Sequence, residues 1–452
     1  MGMKRQRGGV MRVLLVIVIV LIVVATGFAI YLRGPGPFDF AGGHKVALDE
    51  YKDANPTSVP ASMKDADVVK RGEYLAKAAD CMVCHTAHGG QQYAGGFAFT
   101  LPFGTIYSTN ITPDKETGIG NYTDEEFLAA MHRGVRKDGA RLYPAMPFAS
   151  YTYMTDEDAL AIKAYLFSLA PVHAPARADS LKFPFNQRWA IGLWSAVFNA
   201  DKRFQPDTSK SPEWNRGAYV AEALAHCGEC HTPRNVAFAL NNRKKFGGEV
   251  TGGWRAYNIS EDKGSGIGAW SDDDIAAYIG HGHANDHGSA SGPMGEAVAE
   301  SLSRLAPEDI KAIVAYVRSV PATSSDLPAQ LAAAAPASHK EGFAGDARGK
   351  QIFEGACTSC HNWSGIADIS PYATLTGSRA INDPAGTNVA QIVISGSASA
   401  SVNGSPNMPA FGDAYSNQEI ADVTNYVTAR FGTKGSSLTE KDVAKLRHQS
   451  AQ

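Results

Sequence analysis

The chain has 452 residues, 44% of them hydrophobic and 19% charged, with a net charge of −3. That balance belongs to globular domains rather than disorder, and it supplies no strong positive field for nucleic acid. The length accommodates about three domains of ordinary size.

Residues 1–33 open with Lys4, Arg5, Arg7 and Arg12 and no acid, followed by an uncharged run from Val13 to Leu32. Such a run can cross a hydrocarbon core of roughly 30 Å as a helix, and the basic flank predicts a cytoplasmic N-terminus. Gly27-Phe28-Ala29 also offers a cleavage site. The apolar run, however, is longer than the roughly 7–15 residues of a signal peptide. Residues 1–33 are therefore expected to stay as a signal-anchor, with everything beyond them exported. Residues 34–64, with Gly34-Pro35-Gly36-Pro37, read as an extended spacer.

A five-residue pattern then occurs three times: Cys81-Met82-Val83-Cys84-His85, Cys227-Gly228-Glu229-Cys230-His231 and Cys357-Thr358-Ser359-Cys360-His361. This is C-x-x-C-H, the attachment pattern of c-type haem. Two thiols form thioethers with one porphyrin, and the adjacent histidine ligates the iron. The chain has six cysteines and these motifs use them all, leaving none for disulfides. A zinc site would not need a histidine after each pair.

Each motif follows a helical segment carrying an Arg-Gly pair and an aromatic: Arg71-Gly72 with Tyr74, Arg216-Gly217 with Tyr219, Arg348-Gly349 with Phe353. Glycine inside a helix costs about 1 kcal/mol relative to alanine, so its recurrence predicts a point where a second helix crosses closely. Partner helices are read at Ala159–Leu169, Ile310–Val320 and Ile420–Phe431. Thr155 with Asp158 and Ser416 with Glu419 read as capped starts, and Pro307 as a first helical residue. Tyr165, Tyr316 and Tyr426 fall on one face of these helices and read as core contacts. The repeats span residues 65–170, 213–320 and 346–432. Residues 171–212 are too aromatic for a free linker, with Phe183-Pro184-Phe185-Asn186-Gln187-Arg188-Trp189, and read as a strap between the first two repeats. Residues 321–345 read as a plain linker and 433–452 as a tail with one short helix.

A sixth iron ligand is sought among methionines. Met294 lies in Gly292-Pro293-Met294-Gly295, Met408 in Asn407-Met408-Pro409, and Met146 in Pro144-Ala145-Met146-Pro147. Proline fixes the backbone of a loop that must hold a ligand on iron, which favours Met146 over Met131 and Met154. Histidine and methionine together fill both axial positions and raise the potential. The run His281 to His287 offers a rival ligand for the second haem, or a separate metal.

The first two repeats also share Asn110-Ile111-Thr112 with Asn258-Ile259-Ser260, and Tyr122-Thr123-Asp124 with Trp270-Ser271-Asp272. Tyr122 and Trp270 carry a polar hydrogen that needs a partner when buried, and a haem propionate is the acceptor considered for each. The third repeat goes instead through Thr376-Gly377-Ser378-Arg379.

The repeats resemble class I cytochrome c. That implies an all-α chain of three tandem domains behind one N-terminal transmembrane helix. Tyr107-Ser108-Thr109-Asn110-Ile111-Thr112, Tyr143-Pro144-Ala145-Met146-Pro147 and Cys230-His231-Thr232-Pro233-Arg234-Asn235 are similar to segments of the triheme cytochrome c subunits of bacterial membrane-bound, quinone-linked dehydrogenases. The resemblance implies haem domains on the periplasmic side of the inner membrane and ubiquinone as electron acceptor. It also implies a separate catalytic subunit, either a molybdopterin enzyme with an iron–sulfur subunit or a quinoprotein carrying PQQ. The strap is closer to cytochromes of the molybdopterin aldehyde dehydrogenases. A peroxidase-like multihaem enzyme and a terminal-oxidase haem subunit are the alternatives. No nucleophile elbow, dinucleotide fingerprint or P-loop is present in the sequence.

Overall fold

The computed structural model describes residues 3–325, 346–397 and 407–450. The linker expected at 321–345 lies outside these from residue 326 onward. Met3–Arg33 is one continuous helix. Its Met11–Arg33 portion is the one helix among the described residues long and apolar enough to cross a membrane, and none of it is buried against the rest of the chain.

Three helix crossings organise the remainder: Val68–Ala78 on Asp156–Ser168, Pro212–Tyr219 on Pro307–Val317, and Asp346–Ile352 on Asn417–Phe431. The starts are capped by local chemistry. Asp67, Thr155 and Ser211 each accept a first-turn backbone N–H, Pro307 stands in the first turn, and Ser416 and Glu419 form a reciprocal capping box. The Arg-Gly pairs mark the crossings, as expected. A Cβ at Gly72 would stand 1.8 Å from the Ala161 carbonyl oxygen, one at Gly217 1.8 Å from that of Ala312, and one at Gly349 2.3 Å from that of Asp422. Backbone lies on backbone, and only glycine permits it. Tyr316 and Tyr426 are fully buried behind these contacts.

Among the described residues three antiparallel two-stranded hairpins depart from all-α: Ala98–Leu101 with Gly104–Tyr107, Glu249–Thr251 with Trp254–Ala256, and His283–Ala284 with Gly288–Ser289. Gly252 and Gly253 turn the second at positive φ, the combination a tight two-residue hairpin demands.

The first two repeats are latched reciprocally. Tyr74 of the first donates to Asp309 of the second at 2.6 Å, and Tyr219 of the second donates to Asp158 of the first at 2.6 Å. Asp158 therefore does not complete a capping box with Thr155; its carboxylate accepts from Tyr219 and from the Ser58 N–H instead. Arg216 forks onto both oxygens of Asp309 at 2.7 and 2.6 Å and also donates to the Pro56 and Ser58 carbonyls.

Residues 34–64 are accordingly not an extended spacer. Phe38 and Tyr51 are buried, Phe38 packs edge-on against Tyr153 and Phe204, and His44 donates its N–H to Asp207. Aromatic burial outweighs the Gly-Pro pattern there. The strap packs against residues of both of the first two repeats. Tyr143 donates to the Phe185 carbonyl, and the Trp189–Phe198 helix packs Trp194 on Phe148 while Trp194 donates to the Ala237 carbonyl. The tail helix Glu440–Ser450 buries Val443 and Leu446 against the third repeat.

His132 is buried in the first repeat, and neither ring nitrogen has a hydrogen-bond partner. Burial, then the Arg203 guanidinium, push its pKa down to about 4. The unfolded chain, titrating near 6.5, thus binds a proton between about pH 4 and 6.5 that the folded state refuses. Stability is full above that window and falls as pH drops through it. His132→Phe is expected to flatten the dependence of melting temperature on pH across this range; an unchanged slope would place the lost stability elsewhere.

Candidate haem-binding sites

Each motif is delivered by a break at the end of its helix. In the first, Asp80 takes a left-handed conformation (φ 55°) and Cys81–Cys84 forms the next turn. In the second and third, wide turns at Val220–Leu224 and Phe353–Cys357 lead into Gly228–His231 and Thr358–His361. Such widened turns recur at functional sites. Burial pushes the Cys81 and Cys227 thiols up to about 12; Cys84, Cys230 and Cys357 are pushed up by the same cause.

The three histidines share one arrangement. His85 Nδ1 lies 2.7 Å from the Thr109 carbonyl, His231 Nδ1 2.6 Å from that of Tyr257, and His361 Nδ1 2.5 Å from that of Ala373. A carbonyl only accepts, so Nδ1 carries the hydrogen and the Nε2 lone pair is left for a metal. Burial lowers all three imidazole pKa values despite these bonds, and the neutral ring is the ligating form.

The carbonyls are themselves braced. Asn110, directly after Thr109, accepts from the Thr112 N–H and hydroxyl at 2.9 and 2.8 Å and donates to Val172. Asn258, directly after Tyr257, accepts from Ser260 at 2.8 and 2.7 Å and donates to Thr323. The shared Asn-Ile-Thr and Asn-Ile-Ser segments thus fix the carbonyl acceptors of His85 and His231. The sequence displays the repeat but not this role, because the acceptor is the main chain of the preceding residue.

The methionines differ in setting. Met146 closes a turn onto Tyr143 between Pro144 and Pro147 and is partly buried against the core. Met294 stands in the first turn of the Gly292–Glu300 helix rather than in a loop. Met408 pairs with Ser397 in an antiparallel bridge. Met131 and Met154 are core residues at 6% and 0% exposure.

The cytochrome c family pattern matches residues 69–170 and 347–430. The chain is 39% identical over 416 residues to the fructose dehydrogenase cytochrome subunit of Gluconobacter japonicus, covering 87% of this chain and 85% of that one. It is 40% identical over 400 residues to the gluconate 2-dehydrogenase cytochrome c subunit of Pantoea cypripedii, covering 84% and 89%. It is 36% identical over 407 residues to the cytochrome c subunit of the quinone alcohol dehydrogenase of Gluconobacter oxydans, covering 86% and 85%. The chain belongs to the dehydrogenase cytochrome c subunits.

As a member of that family it carries covalent haem c, and its residues fit the group. At the second motif Arg379 Nη2 and the Tyr257 hydroxyl are buried without a hydrogen-bond partner among the described residues, and the guanidinium lies over the Tyr257 ring at 5.0 Å. Two orphaned donors beside His231 suit an anionic group such as a propionate. Arg379 comes from the third repeat, and no motif around it signals this placement. Tyr122 sits partly buried, its oxygen 3.4 Å from the Lys137 N–H, while Trp270 stacks on His287 at 3.8 Å. The histidine run of this cytochrome subunit serves packing. His283 meets Ser289 and the Tyr372 ring, and Tyr372 donates to the His281 carbonyl, which docks the third repeat on the second. Among the described residues no cluster of His, Cys, Asp or Glu is arranged to hold a metal ion.

Proposed function

We propose that this subunit carries three haem c groups in three tandem domains, 65–170, 213–320 and 346–432, and passes electrons from a dehydrogenase catalytic subunit to membrane ubiquinone. The observation that carries this is the carbonyl brace on His85, His231 and His361, which sets the same ligating tautomer three times. Cys81 and Cys84, Cys227 and Cys230, and Cys357 and Cys360 hold the porphyrins. Met146, Met294 and Met408 would each supply the second protein ligand of one group, and Tyr122 and Trp270 would meet its propionates. Haem supplies one-electron exchange; the protein binds it, fixes its ligands and excludes water. A second protein ligand on each haem would leave peroxide no iron site to bind.

The domains stand on the periplasmic side of the inner membrane, anchored by Met3–Arg33. Asn235 donates to the Leu32 carbonyl at 2.9 Å, Asn242 to that of Pro35 at 3.2 Å, and Arg243 lies over the Tyr31 ring at 4.8 Å. These contacts tie the haem-bearing part to the end of the apolar helix. Phe183, Trp189, Leu193 and Val236, at 79%, 69%, 66% and 81% exposure, lie beside that exit, on the strap and the Arg234–Leu240 loop, and rest on the lipid surface.

Met408→Ala is expected to remove about one third of the methionine–iron charge-transfer absorption and leave one reduced haem able to bind carbon monoxide, with the haem count per chain unchanged. Carbon monoxide binding by the unaltered protein would instead support a catalytic haem. Purification of the intact complex from membranes is expected to yield a dehydrogenase, with a molybdopterin and iron–sulfur subunit or with PQQ. Recovery of a haem–copper subunit would overturn the assignment.

A further inference from the structure

The first two repeats exchange more than the Tyr74 and Tyr219 hydroxyls. The short helix Phe148–Tyr151 follows directly on Met146-Pro147 and packs on the Val220–Leu224 turn that delivers the second motif. Ser150, 9% exposed, donates its hydroxyl to Glu229 Oε1 at 2.9 Å. Glu229 lies inside the second motif, between Cys227 and Cys230, and Arg234 donates to its other carboxylate oxygen at 2.8 Å. Tyr151, 4% exposed, donates to the Ala79 carbonyl at 2.6 Å, just ahead of Cys81. Its ring stands edge-on to His226, the residue before Cys227, at 5.5 Å.

The packing is returned. The Gly292–Glu300 helix, with Met294 in its first turn, lies on the Cys81–Cys84 turn of the first motif. Its Glu296 and Glu300 are the charges that, after burial, push the Asp80 carboxyl up to about 7. Burial raises the Cys84 thiol first, then Asp80 and Cys81, and after these Cys230 of the second motif. The two attachment turns thus stand side by side, and each bears the methionine segment of the other repeat. Asp80 and His226, the residues before Cys81 and Cys227, are both held at positive φ, 55° and 38°, a conformation that surrounding packing must impose on a residue with a side chain. Met408, in contrast, pairs with Ser397 of its own repeat.

We propose that Ser150, Tyr151 and Glu229 are positioning residues for the first haem site: they seat residues 146–151 on the second motif and so keep Met146 in place as a ligand. The axial ligation of one haem then depends on the attachment turn of its neighbour, and the first two domains work as one redox unit, while the third holds its methionine by its own contacts. A hydrogen bond to a carboxylate is stronger than one between neutral groups. Ser150 is nearly closed to water, so its loss leaves Glu229 short of a donor and the turn after Met146 untethered. This role rests on Met146 as the ligand proposed above and adds what holds it there.

The test is an imidazole titration of the ferric, haem-loaded full-length protein at constant pH, read by the methionine–iron charge-transfer absorption. In Ser150→Ala about one third of that absorption is expected to be displaced at about tenfold lower imidazole than in the wild type, with the remainder and the haem count per chain unchanged. Glu229→Ala is expected to shift the same fraction, and Glu229→Gln, which keeps an oxygen to accept from Ser150, to return it to the wild-type midpoint. Adding Met146→Ala to Ser150→Ala is expected to abolish the early phase. An unchanged titration in Ser150→Ala overturns the proposal, and so does a shift shared by all the haems, which would report a general loosening of the fold. Met146→Ala alone separates this role from the ligand assignment. If that variant keeps the full absorption, Met146 is not a ligand and both readings fall. If it removes about one third while Ser150→Ala and Glu229→Ala titrate as wild type, only the positioning role falls.

Discussion

Gly217→Ala is expected to destabilise the second domain by about 3 kcal/mol or more, at the upper end of what overpacking costs. The added Cβ would meet the Ala312 carbonyl oxygen at 1.8 Å, its carbon at 2.4 Å and the Tyr316 Cβ at 2.9 Å. Two of the three obstacles are backbone, and Tyr316 is fully buried, so no flexible side chain can give way. The Pro212–Tyr219 helix must move outward as a unit, and it carries both Arg216 and Tyr219 away from their carboxylates. For a domain of about 100 residues this amounts to a fall of roughly 12 °C or more in melting temperature, readable by calorimetry of the haem-loaded protein. Gly280→Ala is the control, since a Cβ there meets nothing within 4 Å and gains helix propensity. A loss below 1 kcal/mol at Gly217 would mean that the helices do not cross at that point.

The same glycines show what the sequence can disclose. A costly residue kept in three helices has a physical cause, and the cause is local enough to be read from the pattern. The C-x-x-C-H motifs are legible for the same reason, since their chemistry is confined to five consecutive residues. Contacts between distant segments have no period. Nothing in Arg-Gly-Glu-Tyr announces that Tyr74 reaches Asp309 in the next repeat. The Thr109, Tyr257 and Ala373 carbonyls are main-chain groups, which any residue type could supply. The segment 34–64 misleads because Gly-Pro composition speaks for extension, while Phe38 and Tyr51 find a seam that exists only once the two repeats are docked. Arg379 is the clearest case of a site residue hidden from the sequence. It lies far along the chain from His231 and comes near it because Tyr372 on the His281 carbonyl, Arg255 on Asp383 and Asn388 on the Arg255 backbone bring the third repeat onto the second.

Arg216→Ala is expected to cost about 3–5 kcal/mol, the range for leaving one partner of a buried ion pair without the other. Asp309 is 1% exposed and receives both guanidinium nitrogens as well as the Tyr74 hydroxyl. With Arg216 gone, one hydroxyl remains to hold a carboxylate that water cannot reach. Arg348 and Asp422 form the corresponding pair in the third repeat, but the Arg348 side chain is half exposed and Gln351 stands where Tyr74 and Tyr219 stand in the first two. Asp422 is itself buried but also accepts from Gln418 at 2.9 Å, so Arg348→Ala should cost less than Arg216→Ala. The contrast separates a latch whose arginine is buried from one whose arginine is half exposed, and denaturant titration of the two variants measures it. Arg216 also donates to the Pro56 and Ser58 carbonyls, so its loss should free the segment before Val68 from the seam between the first two repeats. Limited proteolysis of R216A is then expected to cut near Lys52 or Lys64 while the C-x-x-C-H motifs, all C-terminal to these lysines, remain intact. Equal resistance of wild type and variant at these lysines would show that Phe38 and Tyr51 hold the segment without the arginine.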